Sequence, residues 1–386
     1  MQTAARTIPF GKPIIGDEEK NAVLEVLSGS ILVHGPKAKE FENNFAKFTG
    51  AEHAVSVASC TAGLHLCYFY LGIKPGDEVI VPAQTHVATA HAVELSGGTP
   101  VFVDAEKKTG NIDLDQLEKK ITFKTRAISI VHFLGMSVDM NRVMEIAKRH
   151  KLFVVEDCAL AVGTYLNGNH AGLQGDAGCF SFYPVKHMTT SEGGMVITKH
   201  QELAEKMTRQ KAFGVDRHVG ERTVPGVYDV TMLGFNYRMS ELEAVIGIEQ
   251  LKRIPNFLEH RKENYEILSK ALAEIDEVTQ LESSHDNYQS SYYCLSALLK
   301  KPFDLKRFEI VAFLKKNGVG TSVYYPKPVP HMSYYKTKYG IKDTDFPVAS
   351  WISNSSISLP VGPHLNGEDM QYIVKILKEA ILDLKK

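Results

Sequence analysis

The chain has 386 residues, of which 44% are hydrophobic and 23% are charged, and its formal net charge is -1. A chain of this length can bury a large core and form two domains. The near-neutral charge provides no overall field for nucleic acid or for an acidic membrane surface, which argues against a polyanion-binding protein. We therefore expect no nucleic-acid partner.

The N-terminal segment, MQTAARTIPFGKP, has no apolar stretch of signal-peptide length, and no later apolar run is long enough to span a membrane. These features predict a cytoplasmic protein with no membrane partner. The five cysteines lack CxxC spacing and lie in apolar or glycine-rich surroundings, which predicts reduced thiols packed as small hydrophobic groups. The fifteen histidines form no HxH or HExxH pair, so no metal site is predicted.

Between about residues 50 and 200, short β-rich runs alternate with helical segments. The predicted strands are apolar throughout and cover residues 54–57, 78–81, 101–103, 127–131, 153–155, 179–182 and 195–198. The predicted helices cover residues 61–71, 88–96, 113–120 and 141–150. Apolar strands that alternate with helices predict an α/β fold, in which a mostly parallel sheet is covered by helices on both faces.

After residue 194 the pattern changes to longer helices. Residues 239–254 and 257–275 predict two helices separated by Pro255, because proline disrupts a helix interior. The remaining sequence mixes predicted strands and helices at residues 292–299, 304–316, 357–359 and 367–385. We expect a large domain over residues 1–254 and a smaller C-terminal α+β domain over residues 255–386.

Two segments carry residues suited to chemistry at a carbon that bears an amine. VVEDCA places Glu156 and Asp157 at the end of an apolar strand, the edge where α/β sheets bind ligands. Lys186 follows in a loop rich in glycine, serine and threonine. Taken singly, the acids could cap a helix and the lysine could be a solvated charge. Together they satisfy two requirements of an electron-sink cofactor, a carboxylate for its ring nitrogen and a lysine for an imine.

The order and spacing of several segments resemble the DegT/DnrJ/EryC1/StrS family of sugar aminotransferases, which are fold-type I enzymes that use pyridoxal 5′-phosphate. The resemblance covers nearly the whole chain. It is carried by GPKAKEFENNFAKFTG (35–50), KPGDEVIVPAQTHVATAHAV (74–93), TPVFVDA (99–105), VHFLGMSVDMNRV (131–143), VVEDCALAVGT (154–164), CFSFYPVKHMTTSEGGMV (179–196), LGFNYRMSELEAVIGIEQL (233–251), YYPKPVPH (324–331) and SLPVGP (358–363).

The resemblance implies a role for each matched residue. Lys186 would hold the cofactor as a Schiff base and move a proton between cofactor and substrate. Asp157 would pair with the pyridinium nitrogen. Thr61 and Ala62 would bind the phosphate at the start of their helix, and Ser181 would add a hydroxyl. Read without the resemblance, Thr61 and Ala62 could be a helix cap and its first turn, and Ser181 could face the sheet.

Other matched positions concern the dimer and the cofactor ring. Asn236 corresponds to a residue that binds the phosphate of the neighbouring subunit's cofactor, which implies a homodimer with shared active sites; alone, it could be a turn residue. His86 stands where the family usually stacks an aromatic ring on the pyridine, although it could be an exposed loop histidine. Leu160 departs from the usual Gln or His that contacts the cofactor's phenolic oxygen. His187 follows the lysine and, by alternation, should point away from the site.

The resemblance implies a two-step exchange. An amino donor, suggested to be L-glutamate, leaves its nitrogen on the cofactor, and a nucleotide-linked 4-keto-6-deoxy or 3-keto hexose then receives it. The product would serve surface polysaccharide or lipopolysaccharide synthesis. Lys37, Tyr183 and His331 hold family positions near the substrate, but Lys37 could be solvated and the other two could be packing residues. The alternatives are a sugar dehydratase, a different carbonyl aminotransferase and a non-catalytic regulatory homologue.

Overall fold

The computed structural model of the protein describes residues 6–216, 224 and 226–385. The α-helices in this part of the chain are α1 (Asp17–Ser28), α2 (Pro36–Thr49), α3 (Cys60–Tyr70), α4 (Val87–Leu95), α5 (Leu114–Leu117), α6 (Met140–His150), α7 (Gln201–Gln210), α8 (Glu241–Leu272), α9 (Arg307–Lys316), α10 (Ser333–Tyr339), α11 (Pro347–Ser355) and α12 (Gly367–Asp383). The strands are β1 (His53–Val57), β2 (Glu78–Pro82), β3 (Thr99–Val103), β4 (Thr125–Val131), β5 (Phe153–Asp157), β6 (Tyr165–Leu166), β7 (Asn169–His170), β8 (Ala177–Ser181), β9 (Gly194–Thr198), β10 (Val278–Gln280), β11 (Tyr288–Gln289), β12 (Leu295–Leu299) and β13 (Ser356–Leu359).

Seven strands form the central sheet in the order β1–β9–β8–β5–β4–β2–β3. Strands β8, β5, β4, β2 and β3 pair in parallel, whereas β9 is antiparallel to both of its neighbours. The prediction of a mostly parallel sheet is therefore confirmed. The reversed direction of β9 was not predicted, because its apolar residues are buried in the same way as those of a parallel strand.

Helices cover both faces of this sheet, as the apolar strands predicted. Alternation along β2 shows the two faces, because Val79 and Val81 pack with α3, α4 and α7, whereas Ile80 packs with α6 on the opposite side. Near β8 and β9, the second face packs against α2 and α8, where Phe45 contacts Phe180 at a ring-centroid distance of 5.0 Å. The sheet edge that carries the ends of β4, β5 and β8 is thus fixed between two helical layers.

Helix α8 runs without interruption from Glu241 to Leu272, so the prediction of two helices separated at Pro255 is wrong. Ile254 and Phe257, on either side of the proline, are buried in the core beneath the sheet, and Leu268 further along is buried in a second, C-terminal core. A proline inside a helix costs about 3 kcal/mol. Burial of the apolar side chains along α8 outweighs that cost, since each contributes roughly 1.5–3 kcal/mol.

The C-terminal core is built on an antiparallel sheet of order β10–β12–β13, covered by α9, α12 and the second half of α8. Ile8 joins this core from the N-terminal segment and forms a parallel bridge with Val319. The structure thus contains a smaller α+β unit, as predicted. The boundary between residues 254 and 255 stays a prediction, and it falls inside α8.

Within the described residues, no helix combines the length and the apolar character needed to cross a bilayer. The five cysteines are free thiols. Four are buried and Cys60 is half-buried, as expected for thiols that pack as small hydrophobic groups.

Candidate active site

Strand β5 ends in the middle of the central sheet and delivers a buried carboxylate there. Asp157 is 4% exposed, and its Oδ2 accepts a hydrogen bond of 2.8 Å from the Thr89 hydroxyl. Its Oδ1 accepts a bond of 3.1 Å from the N–H of Ala159. These donors hold the carboxylate in one orientation at the carboxyl edge of the sheet, the position where α/β folds bind ligands.

A cavity of about 270 Å³ lies at this edge. Its walls come from the segments that follow β1, β2, β4, β5 and β8, together with one residue of the C-terminal region: Ser59, Cys60, Thr61, Thr85, His86, Ala88, Val131, Asp157, Ala159, Leu160, Ser181, Tyr183, Lys186, Glu192 and Tyr325. A larger cavity of about 820 Å³ lies elsewhere, and its lining mixes acidic residues such as Asp113 with basic ones such as Arg142 and with neutral residues. The smaller cavity is the candidate active site, because it combines a lysine, a fixed carboxylate and a helix start.

Lys186 lies in the turn after β8, where its N–H donates to the carbonyl of Tyr183 at 2.9 Å. Its Nζ is 5.4 Å from the centroid of the Tyr293 ring. Burial lowers the pKa of Lys186, and the nearby Cys60 and Asp157 partly oppose that shift. A lysine must lose its proton to attack a carbonyl, so a lowered pKa favours imine formation. His187 points away from the cavity and donates from Nε2 to the carbonyl of Ser291 at 3.1 Å.

The start of α3 forms one end of the cavity. Ser59 is the N-cap residue, and its hydroxyl accepts a bond of 3.1 Å from the N–H of Ala62. The N–H groups of Cys60 and Thr61 precede the first hydrogen bonds within the helix, so they can bind an anion. Thr61 and Ser181 line the cavity, whereas Ala62 is buried and is not one of the lining residues. The helix start and the Ser181 hydroxyl together provide donors for a phosphate.

His86 and Leu160 both line the wall. His86 is the N-cap residue of α4, where its Nδ1 accepts a bond of 3.2 Å from the N–H of Ala88. Burial lowers the pKa of His86, so the ring is neutral and can accept that bond at neutral pH. Leu160 presents an apolar surface, and its carbonyl accepts from Ser291 at 2.7 Å. Tyr325 also lines the cavity, and its ring centroid is 5.9 Å from that of His86.

The remaining predicted residues divide into two groups. Tyr183 lines the cavity and is 48% exposed, which makes it available to a substrate. Asn236, Lys37 and His331 are not among the described residues that line it. Asn236 forms a β-bridge with Ala212, the Lys37 ammonium pairs with Glu40 at 3.1 Å, and His331 Nε2 donates to the carbonyl of Lys342 at 3.1 Å.

Three neighbouring side chains at the ends of β4 and β5 are of types that can bind a metal ion, but their contacts are those of a hydrogen-bond network. Ligand atoms of His132, Glu156 and Cys158 lie within 4.8 Å of one another. His132 Nδ1 accepts from the N–H of Val138 at 3.2 Å, so its Nε2 carries the proton that it donates to Glu156 at 2.8 Å. Both Glu156 oxygens also accept backbone N–H bonds, from Gly172 at 2.7 Å and Gly175 at 2.5 Å. Glu156 therefore ties neighbouring segments together.

Sequence reasoning missed two threonines. Thr85 lines the cavity, and Thr89 holds Asp157. Their spacing of four residues across the start of a helix places both hydroxyls on one side, a signal that the sequence does contain. Tyr325 belongs to the segment 324–331 that carries the family resemblance, but the sequence gives it no separate role.

These features define a class of protein, the fold-type I enzymes that use pyridoxal phosphate, with a buried lysine, a buried carboxylate and the start of a helix around one cavity. The chain belongs to the DegT/DnrJ/EryC1/StrS aminotransferase family, whose model matches residues 13–378. It is therefore a pyridoxal-phosphate-dependent sugar aminotransferase, and the prediction of enzyme and cofactor is confirmed.

Individual relatives agree with this assignment. The chain is 36% identical over 385 residues to the spore coat polysaccharide biosynthesis protein SpsC of Bacillus subtilis, with 99% of each chain covered. Spr1654 of Streptococcus pneumoniae, a protein assigned as a sugar aminotransferase and solved in pyridoxal and pyridoxamine phosphate forms, is 29% identical. The pyridoxamine form gives a TM-score of 0.91 and covers 97% of this chain and 99% of that one. PseC of Helicobacter pylori, an aminotransferase of pseudoaminic acid biosynthesis, gives a TM-score of 0.89 at 29% identity, covering 97% and 99%.

Proposed function

We propose that Lys186 and Asp157 are the catalytic residues of this enzyme and that the cavity at the end of β5 holds the cofactor. The observation that supports this most directly is that one cavity of about 270 Å³ is lined by both residues and by the start of α3. Asp157 would pair with the ring nitrogen. Thr61 and Ser181 would bind the phosphate, and Ala62, whose N–H is bonded to Ser59, stays a prediction for the same role.

The cofactor, when bound, supplies an electron sink that stabilises negative charge at the substrate carbon. The protein supplies the proton transfer and the geometry. Lys186, once its amine is free, is the base that carries a proton at Nζ, and its partly desolvated site favours the neutral amine. His86 would stack on the ring as a neutral imidazole. Leu160 and Val131 give the wall an apolar surface that excludes water.

We further propose that the amino acceptor is a nucleotide-linked keto hexose, of the 4-keto-6-deoxy or 3-keto type, and that the donor is L-glutamate. Two relatives support a sugar pathway, since SpsC is named for spore coat polysaccharide and PseC for pseudoaminic acid biosynthesis. Tyr183, at the mouth of the cavity, would contact the substrate. Lys37 and His331 stay predictions for the same role, as do the part in lipopolysaccharide synthesis and the cytoplasmic location.

The proposed assembly is a homodimer in which Asn236 completes the neighbouring site. Asn236 is exposed and does not line the cavity of its own chain. Two segments expose large apolar side chains: Ile31, Leu32 and Val33 after α1, and Phe213, Val230 and Leu233 before α8. The first segment contacts the start of α8, where the N–H of Glu241 donates to the carbonyl of Leu32 at 2.9 Å. An exposed apolar surface of this kind is typical of a subunit interface.

The first test is the absorbance spectrum of purified protein before and after addition of L-glutamate. We expect the band of the lysine-bound cofactor to fall as a pyridoxamine-like band rises. Lys186→Ala should fold and bind the cofactor but show neither the lysine-bound band nor the change with glutamate. The exposed Lys124→Ala is the matched control and should behave like the parent enzyme.

Two outcomes would contradict the proposal. Turnover by the Lys186→Ala enzyme would remove the assignment of the lysine. A cofactor band that ignores L-glutamate would exclude that donor, and other amino acids would then be screened. Product analysis with keto sugars separates amination from the loss of a hydroxyl, which a dehydratase would give.

A further inference from the structure

Two threonine hydroxyls form a chain that ends at Asp157. The Thr89 hydroxyl lies 2.8 Å from Oδ2 of Asp157, and the Thr85 hydroxyl lies 2.7 Å from that of Thr89. The exposure of Thr85 is 1% and that of Thr89 is 0%. Burying a hydroxyl costs free energy unless it is hydrogen-bonded, so loss of one of these two bonds would leave a buried polar group unpaired and weaken the other bond.

Simple chemistry fixes the direction of the chain. An ionised carboxylate only accepts hydrogen bonds, and a hydroxyl has a single hydrogen to donate. Thr89 must therefore give its hydrogen to Asp157, which leaves its oxygen to accept from Thr85. Thr85 is the outer donor in the wall of the cavity, and Thr89 is the inner one on α4.

The carboxylate has few acceptor positions left. A carboxylate offers about four lone-pair positions, two on each oxygen. On Oδ1, one is used by the N–H of Ala159; the Cys60 thiol lies 4.0 Å from this oxygen but closer, at 3.5 Å, to the carbonyl of Cys179. On Oδ2, Thr89 uses one. Counting donors from the described residues only, one position stays free on Oδ2, the oxygen that Thr89 holds, and the thiol leaves little room for a further donor at Oδ1.

We infer that Thr89 is a positioning residue for the cofactor: it fixes the rotation of the Asp157 carboxylate so that the free position on Oδ2 faces the ring nitrogen, and Thr85 supports it from behind. The inference rests on the proposed pairing of Asp157 with that nitrogen. It predicts that loss of the Thr89 hydroxyl weakens a single contact, the one between the carboxylate and the ring N–H, and leaves the phosphate end unchanged.

The test compares two probes, pyridoxal phosphate and its 1-deaza analogue, in which a carbon replaces the ring nitrogen. Dissociation constants are measured by absorbance titration of the cofactor-free protein. Thr89→Val keeps the shape of the side chain without its hydroxyl. We expect it to raise the dissociation constant of pyridoxal phosphate by roughly 10-fold and to leave that of the deaza analogue unchanged. Thr89→Ser, which restores the hydroxyl, should recover the preference for the natural cofactor.

Thr85→Val removes only the outer donor and provides a second variant if Thr89→Val fails to fold. Its expected loss is smaller, about 2- to 3-fold and again confined to pyridoxal phosphate, because Thr89 still donates to the carboxylate. A Thr85→Val protein that binds both probes like the parent, beside a Thr89→Val protein that does not fold, would overturn the inference.

Asp157→Ala separates this inference from the proposed site. If Asp157→Ala loses the preference for pyridoxal phosphate and Thr89→Val keeps it, the positioning role is wrong and the site stands. If Thr89→Val weakens both probes equally, the threonine is a structural residue only, which also overturns the inference. If Asp157→Ala itself retains the full preference, the pairing of Asp157 with the ring nitrogen is wrong, and the inference fails with it.

Discussion

Glu156 and Asp157 are neighbours in sequence, yet they have unrelated functions because they point to opposite faces of β5. Alternation along the strand sends Asp157 into the cavity and Glu156 into the packed side of the sheet. There the Glu156 carboxylate accepts three hydrogen bonds, from His132 and from the backbone of Gly172 and Gly175. The sequence presents two equivalent acids, and the strand geometry separates the structural one from the candidate catalytic one.

The first prediction concerns Glu156→Gln. The NH2 group of glutamine replaces one carboxylate oxygen and cannot accept a hydrogen bond, so one buried donor loses its partner. The free energy of unfolding at pH 7 should therefore fall by roughly 2–3 kcal/mol. Burial opposes the charged form, but the bonds from His132, Gly175 and Gly172 prevail and lower the pKa of Glu156.

The sign of the pH effect follows from that lowered pKa. The stability that Glu156 contributes is fully present above its unfolded pKa of about 4.3 and is lost as the pH falls through the folded value below it. Urea unfolding at a series of pH values from 7 downwards should therefore show that the free energy of unfolding falls less for Glu156→Gln than for the parent. Glu263→Gln, at an exposed position, is the control, and its free energy of unfolding should change with pH as that of the parent does. The same change with pH for Glu156→Gln and the parent would contradict the prediction.

At the scale of elements, the sequence located most strands and helices of the sheet domain, because apolar runs and helical periodicity are local signals. It could not give the direction of β9, which depends on pairing with β1 and β8. The two-residue strands β6, β7 and β11 were too short to leave a pattern. At the site, the family motifs predicted roles for the lysine and the carboxylate that line the cavity, and those roles stay predictions, whereas the Thr89 donor to Asp157 appears only once α4 is packed beside β5.

Helix α8 provides the second prediction, because local preference and tertiary packing conflict at Pro255. The proline removes the hydrogen bond to the carbonyl of Leu251, and its side chain is exposed. Pro255→Ala should restore that bond and raise the free energy of unfolding by about 2 kcal/mol, after allowing for the larger entropy of the unfolded chain. Urea unfolding measures the change, and the neighbouring exposed Asn256→Ala is the control. A lower stability in Pro255→Ala than in the parent would contradict this prediction.

At the scale of the whole molecule, α8 contributes to both the core beneath the sheet and the C-terminal core, and the exposed apolar side chains of residues 31–33 and 213–233 lie outside both. Leu233 is 70% exposed and Ile31 is 53% exposed, so large apolar side chains face solvent in the single chain. Burial of this surface between two copies of the chain would bring Asn236 towards the partner's cavity. The proposed dimer thus explains both an exposed apolar face and a polar residue that does not reach its own site.

Shared active sites predict complementation between two inactive variants. Lys186→Ala lacks the lysine, and Asn236→Ala lacks the contact across the interface. A hybrid dimer contains one site with both defects and one with neither, so mixed subunits should recover up to about half of the parent activity in each hybrid. Differently tagged chains allow the hybrid to be isolated and its turnover measured. Inactive hybrids, with exchange of subunits verified, would contradict sharing across the interface.

The continuity of α8 has a consequence for building chimaeras of this enzyme. Splitting the gene at the codon for Pro255 would cut a helix that contributes to two cores, and it would separate Ile254 from Phe257, which pack in the same core and would be exposed at the new ends. Fragments made this way would be prone to aggregate. A relative's C-terminal region should instead be grafted at a junction before Glu241 or after Leu272, so that α8 is inherited whole.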